Sequence, residues 1–167
     1  LSDWSSDVCS SDLQEPSTLA LIAFIAFLIG FGMKAGMFPL HVWLPDAHPV
    51  APSPASALLS GIMLKTGAYG LLRVIFHVFG PSLLHETGWS NILMVTAIIT
   101  ILLGSAVAIT QDDLKRRLAY SSIGQMGYIL LGMTMVNERA LIGDIFHIFS
   151  HAFMKSTLFL AAGAIIM

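Results

Sequence analysis

The chain has 167 residues, of which 56% are hydrophobic and only 11% charged, with a formal net charge of −2. Soluble domains carry roughly 25% charged residues, so eighteen charged side chains cannot cover a water-facing surface of this size. The near-neutral balance offers no handle for nucleic acid, and the single Cys9 excludes an intramolecular disulfide and any multi-cysteine metal site within the chain. What remains is a membrane protein or a piece of one, long enough for about five bilayer spans of roughly 20 residues each.

Residues 1–15 (LSDWSSDVCSSDLQE) hold four acids and no base, and begin with Leu rather than Met. They lack the basic start and the small-residue cleavage site of a signal peptide. The stretch 1–18 reads as a polar acidic head, disordered or foreign to the native protein, with an ordinary polar loop as the plain alternative. Residues 19–167 read as an all-α, polytopic membrane bundle, because barrel strands would alternate with period two in pieces of about ten residues.

Five segments are long enough to cross about 30 Å of hydrocarbon. The first, 19–44, differs from the rest: Gly30, Gly32 and Gly36 crowd its middle around Lys34, and Pro39 follows. Proline removes a backbone donor and clashes with the preceding turn, so this helix is expected to be discontinuous near Pro39. Unwound backbone at membrane depth persists only where protein or a water-filled cavity satisfies it, and such breaks mark ion pathways in transporters. A simple kink with Lys34 snorkelling to an interface is the alternative. Five of the seven prolines fall in 39–54, which reads as a proline-stiffened turn with Trp43 as interfacial anchor and Asp46 as a loop cap.

The second segment, 54–79, carries Lys65 and Arg73; segments 90–110 and 118–136 carry no charge, and 80–89 reads as a connection. The connection 111–117 (QDDLKRR) groups Lys115, Arg116 and Arg117 beside two spans, which predicts a cytoplasmic location for it. Tyr69, Ser121, Ser122, Gln125 and Tyr128 are candidates for lining a wet path, or equally for interhelical glue. The last segment, 141–167, carries Asp144, His147, His151 and Lys155.

Lys34, Lys65 and Lys155 each fall near the centre of a different span. A lysine there costs about 2.5–3.5 kcal/mol even on insertion scales, which makes each a functional candidate. A buried lysine is titratable, and its proton affinity responds to desolvation and to neighbouring charge. His147, His151 and Lys155 are spaced four apart and share one helical face. Such a stripe can carry protons; an inert, hydrogen-bonded polar contact face is the plain alternative. HIFSH lacks the Glu of the zinc motif HExxH and has no third ligand on its helix, so no metal is expected. No GxGxxG, P-loop, nucleophile elbow or haem pair is present, and neither a cofactor nor a catalytic redox centre is expected in the chain.

Three stretches together resemble a known family: KAGMFPLHVWLPDAHPVAPSPASALLSGIMLKTGAYGLLR at 34–73, QDDLKRRLAYSSIGQMGY at 111–128, and HIFSHAFMKSTLFLAAG at 147–163. They are similar to the antiporter-like membrane subunits of respiratory complex I, of group 4 hydrogenases and formate hydrogenlyase, and of multisubunit Na⁺/H⁺ antiporters. The stretch HPVAPSPASALLSGIMLKTG most resembles the hydrogenase-4 and formate-hydrogenlyase type. The resemblance implies a fold of about fourteen helices with two inverted five-helix repeats, each with a broken helix, of which 19–167 is a partial domain at roughly helices seven to eleven.

By motif, the resemblance makes Lys34 the broken-helix lysine, with Gly32, Gly36 and Pro39 shaping its backbone. Lys65 becomes the linking lysine, and His147, His151 and Lys155 the residues that carry protons into a second half-channel. Some relatives have a histidine at position 60, which is Ser here. The carboxylate partner of Lys34 and the terminal charged residue would lie on helices outside this chain. The implied function is a proton-translocating subunit driven by a redox module in a bacterial or archaeal cell membrane. Its implied partners are other membrane subunits, protons, possible Na⁺ and lipid, with no nucleic acid. The alternatives are a subunit of a stand-alone Na⁺/H⁺ antiporter and a structural membrane scaffold in which the lysines pair statically.

Overall fold

The computed structural model describes residues 18–135 and 137–166. The acidic head, apart from Thr18, lies outside the described residues. Six helices follow in chain order: α1 (Thr18–Ala35), α2 (Trp43–Val50), α3 (Ser53–Thr87), α4 (Trp89–Thr110), α5 (Leu114–Thr134) and α6 (Glu138–Ile166). Among the described residues there is no strand. Four of the helices, α1, α3, α4 and α6, are long and apolar enough to cross a membrane.

The remaining segment read from the sequence as a span, 118–136, lies in a helix that is less apolar than these four. That helix, α5, has 21 residues but opens on Lys115, Arg116 and Arg117 and carries Ser121, Ser122 and Gln125. It occupies the middle of the bundle, packed by α2, α3, α4 and α6, and ten of its residues, from Ala119 to Thr134, are buried. A helix screened from lipid by its neighbours need not be apolar all round. The close α4–α5 contact depends on glycine: a Cβ on Gly104 would stand 2.6 Å from the Gly124 nitrogen. Small residues at such crossings let backbones approach, which is how helices associate where lipid removes the hydrophobic drive.

Two connections differ from expectation. The chain is helical through 80–87 as well, but Gly80 (φ +76°, ψ 155°) turns the backbone, so the 35 residues of α3 are two helical stretches and not one straight rod. Pro81 stands at the start of its last stretch, where a missing N–H costs nothing, and Leu83 and Leu84 are buried there. The polar His85 and Glu86 hid that helix from sequence reading. Residues 43–50, read as part of a turn, form α2; Pro45 falls in its first turn, where the N–H has no intrahelical partner.

α3 also contains two π-helical turns, Leu59–Met63 and Val74–Phe79. At the end of the bundle reached by the second, Phe24, Phe79 and Trp89 pack as an aromatic cluster, with Phe24 stacked on Trp89 at 5.0 Å. At the other end the 111–117 connection is tied to the α2–α3 turn. Arg116 pairs with Asp46 at 2.6 Å and Lys115 donates to the Ala51 carbonyl at 3.2 Å. Asp46 is therefore an ion-pair partner rather than a loop cap.

Candidate functional site

The break in the first spanning segment begins earlier than Pro39. α1 stops at Ala35, and Gly36 has φ +72°, a backbone conformation that L side chains rarely adopt. The Met37 amide donates to Gly32 O at 3.0 Å and the Gly36 amide to Met33 O at 3.2 Å, the paired bonds of a Schellman stop. Met37 folds back over Gly32, where a Cβ would meet its side chain. Several further polar groups of the break have partners, although Nδ1 of His41 is shielded and has none among the described residues. The Phe38 amide donates to Thr100 Oγ1 on α4 at 3.1 Å, and the Leu40 and Leu44 amides donate to Met37 O and His41 O. The Trp43 indole N–H donates across the break to Met33 O at 3.0 Å, so this side chain clips α2 to α1 rather than standing alone as an interfacial anchor. The Phe38–Pro39 peptide is cis.

Lys34 is the last residue but one of α1, and it is exposed. It lies against two open clefts, lined with Gly30, Met33 and Trp43 on one side and with Ala26, Phe27 and Phe31 on the other. Among the described residues it has no hydrogen-bond or ion-pair partner. The expectation of three buried lysines is thus corrected to two within this chain. The reason is the early helix stop, which puts Lys34 at a C-terminus, where its charge suits the end of the helix dipole, instead of in a helix interior.

Lys65 and Lys155 are buried, at 6% and 2% exposure. Lys65 follows the first π turn of α3, and its ammonium donates to the Ser60 carbonyl inside that turn. A π turn widens the helix and re-aims its carbonyls, and such turns cluster at functional sites. Ser60 Oγ lies 2.9 Å from Ser122 Oγ on α5. Ser122 in turn donates to the Leu118 carbonyl at 3.0 Å, so its single proton is committed and Ser60 is the donor of the pair. The same Leu118 carbonyl accepts from Lys155 Nζ on α6 at 3.2 Å. Lys65 and Lys155 are therefore tied to one cluster across three helices, Lys65 through the Ser60 carbonyl, whose own hydroxyl bonds Ser122, and Lys155 through the Leu118 carbonyl that Ser122 shares.

On α6, His147 and His151 stack in parallel, ring centroids 5.9 Å apart and planes within 2°. His151 is fully buried, and neither of its nitrogens, nor Nε2 of His147, has a hydrogen-bond partner among the described residues. One turn beyond Lys155, Phe159 stacks on the buried ring of His48 from α2 at 4.5 Å. Two buried amines, a buried imidazole (His151) and a half-buried one (His147) on contiguous helix faces are groups able to hold and release protons and to influence one another electrostatically. Among the described residues, no three His, Cys, Asp or Glu side chains group as metal ligands.

Of the five polar candidates for a wet path, Ser122 alone enters the linked set. Tyr69 and Tyr128 are exposed, and Ser121 and Gln125 are half-buried. Tyr69 shares with Lys65 a cleft of about 400 Å³ between α3 and α6. Thr100 escaped sequence reading because nothing local distinguishes it from other small hydroxyls, and Ser60 was singled out only by the resemblance, as the position where some relatives have a histidine. His48 was visible only as a member of the proline-rich turn.

The family described as NADH:quinone oxidoreductase/Mrp antiporter, TM, matches residues 8–167. The chain belongs to this family. Curated relatives include NAD(P)H-quinone oxidoreductase chain 4 1 of Synechococcus elongatus, 45% identical over 147 residues, covering 87% of this chain and 27% of the relative. Hydrogenase-4 component B of Escherichia coli is also 45% identical, over 163 residues, covering 89% of this chain and 24% of the relative. The chain therefore spans about a quarter of the length of the curated relatives it matches. Among solved structures, one of the Mrp complex from Dietzia sp. DQ12-45-1b superposes with a TM-score of 0.83 at 28% identity, covering 93% of this chain and 29% of that one. A structure of the membrane-bound sulfane sulfur reductase, an archaeal respiratory membrane complex, gives 0.72 at 32% identity, covering 81% and 27%. This member of the family is a multi-pass membrane protein with the antiporter-like subunit fold.

Proposed function

We propose that the chain is part of a proton-translocating membrane subunit of a complex I-like or group 4 hydrogenase-like oxidoreductase, with electron transfer in other subunits. Residues 19–167 form part of its proton-conducting domain. The observation that carries this reading is the pair of buried lysines, Lys65 on α3 and Lys155 on α6, bridged through Ser60, Ser122 and Leu118, with the buried His151 and the half-buried His147 stacked on the same face of α6. Lys34, exposed at the broken helix, is the group through which this set meets a carboxylate on a neighbouring helix of the full-length subunit. Coupling is electrostatic: a proton on one lysine changes the proton affinity of the next and so the side from which it exchanges. The 111–117 connection faces the cytoplasm, following its three bases.

In the full-length complex, Lys155→Ala and Lys34→Ala are each expected to lower the protons moved per electron while the redox module stays assembled and active. An unchanged ratio in both variants overturns the proposal. A second reading, a subunit of a cation/proton antiporter without electron transfer, is favoured by the 0.83 superposition on the Mrp complex. It requires that a Na⁺ gradient alone drives a pH gradient in vesicles holding the complex. Transport indifferent to substitution of all three lysines points instead to a scaffold.

A further inference from the structure

One buried ionisable group stands outside the set just described. Among the described residues, Asp144 is the only acid inside a spanning helix beyond its first or last turn, and it is buried at 6% exposure. Its Oδ2 is fully shielded and has no hydrogen-bond partner among the described residues. A carboxyl with an unmet oxygen in such a place is destabilising, so packing alone does not account for it. α5 is shaped to admit the group: a Cβ on Gly132 would overlap all three carboxyl atoms of Asp144, and only glycine leaves that recess open.

The position continues the α6 stripe. His151 and Lys155 follow Asp144 by seven and eleven residues, which at about 100° per residue places them within about 20° of it around the helix. His147 is one turn away, where side chains three apart are neighbours at about 5–6 Å between Cβ atoms. Asp144 is near the start of α6, at the end of the bundle away from the 111–117 connection, which leads into the start of α5. The other titratable groups on the elements packed around it are, on α5, Tyr128, Tyr120 and the three bases at its start, and, on α3, Lys65 and Tyr69 across the cleft from Ile145 and Ile148, the exposed Arg73 one turn beyond Tyr69, and His77, His85 and Glu86 further along. Glu138 and Arg139, in the first turn of α6, are exposed.

We propose that Asp144 is a proton-carrying residue that exchanges protons with the aqueous phase on the face opposite the 111–117 connection and passes them along α6 to His147. A proton from water binds the Asp144 carboxylate; transfer through one water breaks that O–H bond, forms an N–H bond at His147 Nε2 and restores the carboxylate. From His147 the stacked rings lead to His151 and Lys155. This inference rests on the proton-translocating reading above and adds its exchange point with one aqueous phase.

The test uses the full-length complex in vesicles, energised by its own electron donor, with proton uptake and electron flow read together for Asp144→Asn, Asp144→Glu and Lys155→Ala. Asn keeps the shape of Asp and its packing against Gly132 but cannot exchange a proton. Asp144→Asn is expected to lower protons per electron at least tenfold with assembly intact, and Asp144→Glu to restore half or more. Infrared difference spectra across a pH titration are expected to show a protonated-carboxyl band that vanishes in Asp144→Asn and shifts in Asp144→Glu. Normal pumping in Asp144→Asn with lost pumping in Lys155→Ala overturns this inference alone. Normal pumping in both overturns it together with the proton-translocating reading. If Asp144→Asn fails to assemble, the wild-type titration and Asp144→Glu decide, and a band unmoved by Glu overturns the proposal.

Discussion

Thr100 on α4 is the acceptor on which the break between α1 and α2 depends, and replacing it by Val isolates that role. Val keeps the branched shape of Thr, so the fully buried site keeps its packing. What is lost is Oγ1, which accepts from the Phe38 amide at 3.1 Å and donates to Thr96 O at 2.6 Å. The Thr96 carbonyl sits within a continuous helix and keeps its backbone partner, whereas the Phe38 amide has no substitute among the described residues. An orphaned buried N–H costs about 1–3 kcal/mol. At about 1.4 kcal/mol per tenfold, that raises the open population of the break by roughly fivefold to a little over a hundredfold. Hydrogen exchange in the solubilised full-length complex, read on peptides covering 36–44, measures this directly. The Phe38 amide should exchange faster by that factor in Thr100→Val, with Thr100→Ser close to wild type. Exchange in Thr100→Val within twofold of wild type refutes the assignment of Thr100 as the support of the break.

Two further outcomes follow from the same contacts. Ser122→Ala removes the hydroxyl between Ser60 and the Leu118 carbonyl and cuts the connection between Lys65 and Lys155; proton pumping should fall several-fold, while Ser122→Thr, which keeps a hydroxyl, retains it. Gly104→Ala puts a Cβ 2.6 Å from the Gly124 nitrogen and should destabilise the α4–α5 pair by about 1–3 kcal/mol, whereas Gly143→Ala, with nothing within 4 Å of its Cβ, should be neutral or slightly stabilising in a thermal melt.

Much of the fold was legible because its signals are local. The spans at α1, α4 and α6 follow from runs of apolar residues, and the break follows from glycines and a proline close in sequence. The stripe His147, His151, Lys155 follows from helical periodicity alone. Where reading failed, a local signal competed with a distant one. α5, read from the sequence as one of five spans, is less apolar than the others, and its serines and glutamine are tolerated because four neighbouring helices surround it. Residues 80–87 look like a loop by composition, yet buried Leu83 and Leu84 hold them helical. Lys34 looked central to a span because the segment was measured through to residue 44, while Gly36 ends the helix directly after Ala35.

By itself, then, the sequence determined membrane residence, helical class, the presence of a break and the alignment of titratable groups on α6. Each of these depends on residues within a few turns of one another. Only the tertiary structure decided that Lys65 and Lys155 meet through Ser60, Ser122 and Leu118, that Thr100 holds the break, and that Lys34 faces outward. Those contacts join positions 62 apart for Ser60 and Ser122, for Phe38 and Thr100, and 37 apart for Leu118 and Lys155. They are set by the rotation and register of whole helices, which packing at glycine crossings and the π turn of α3 determine.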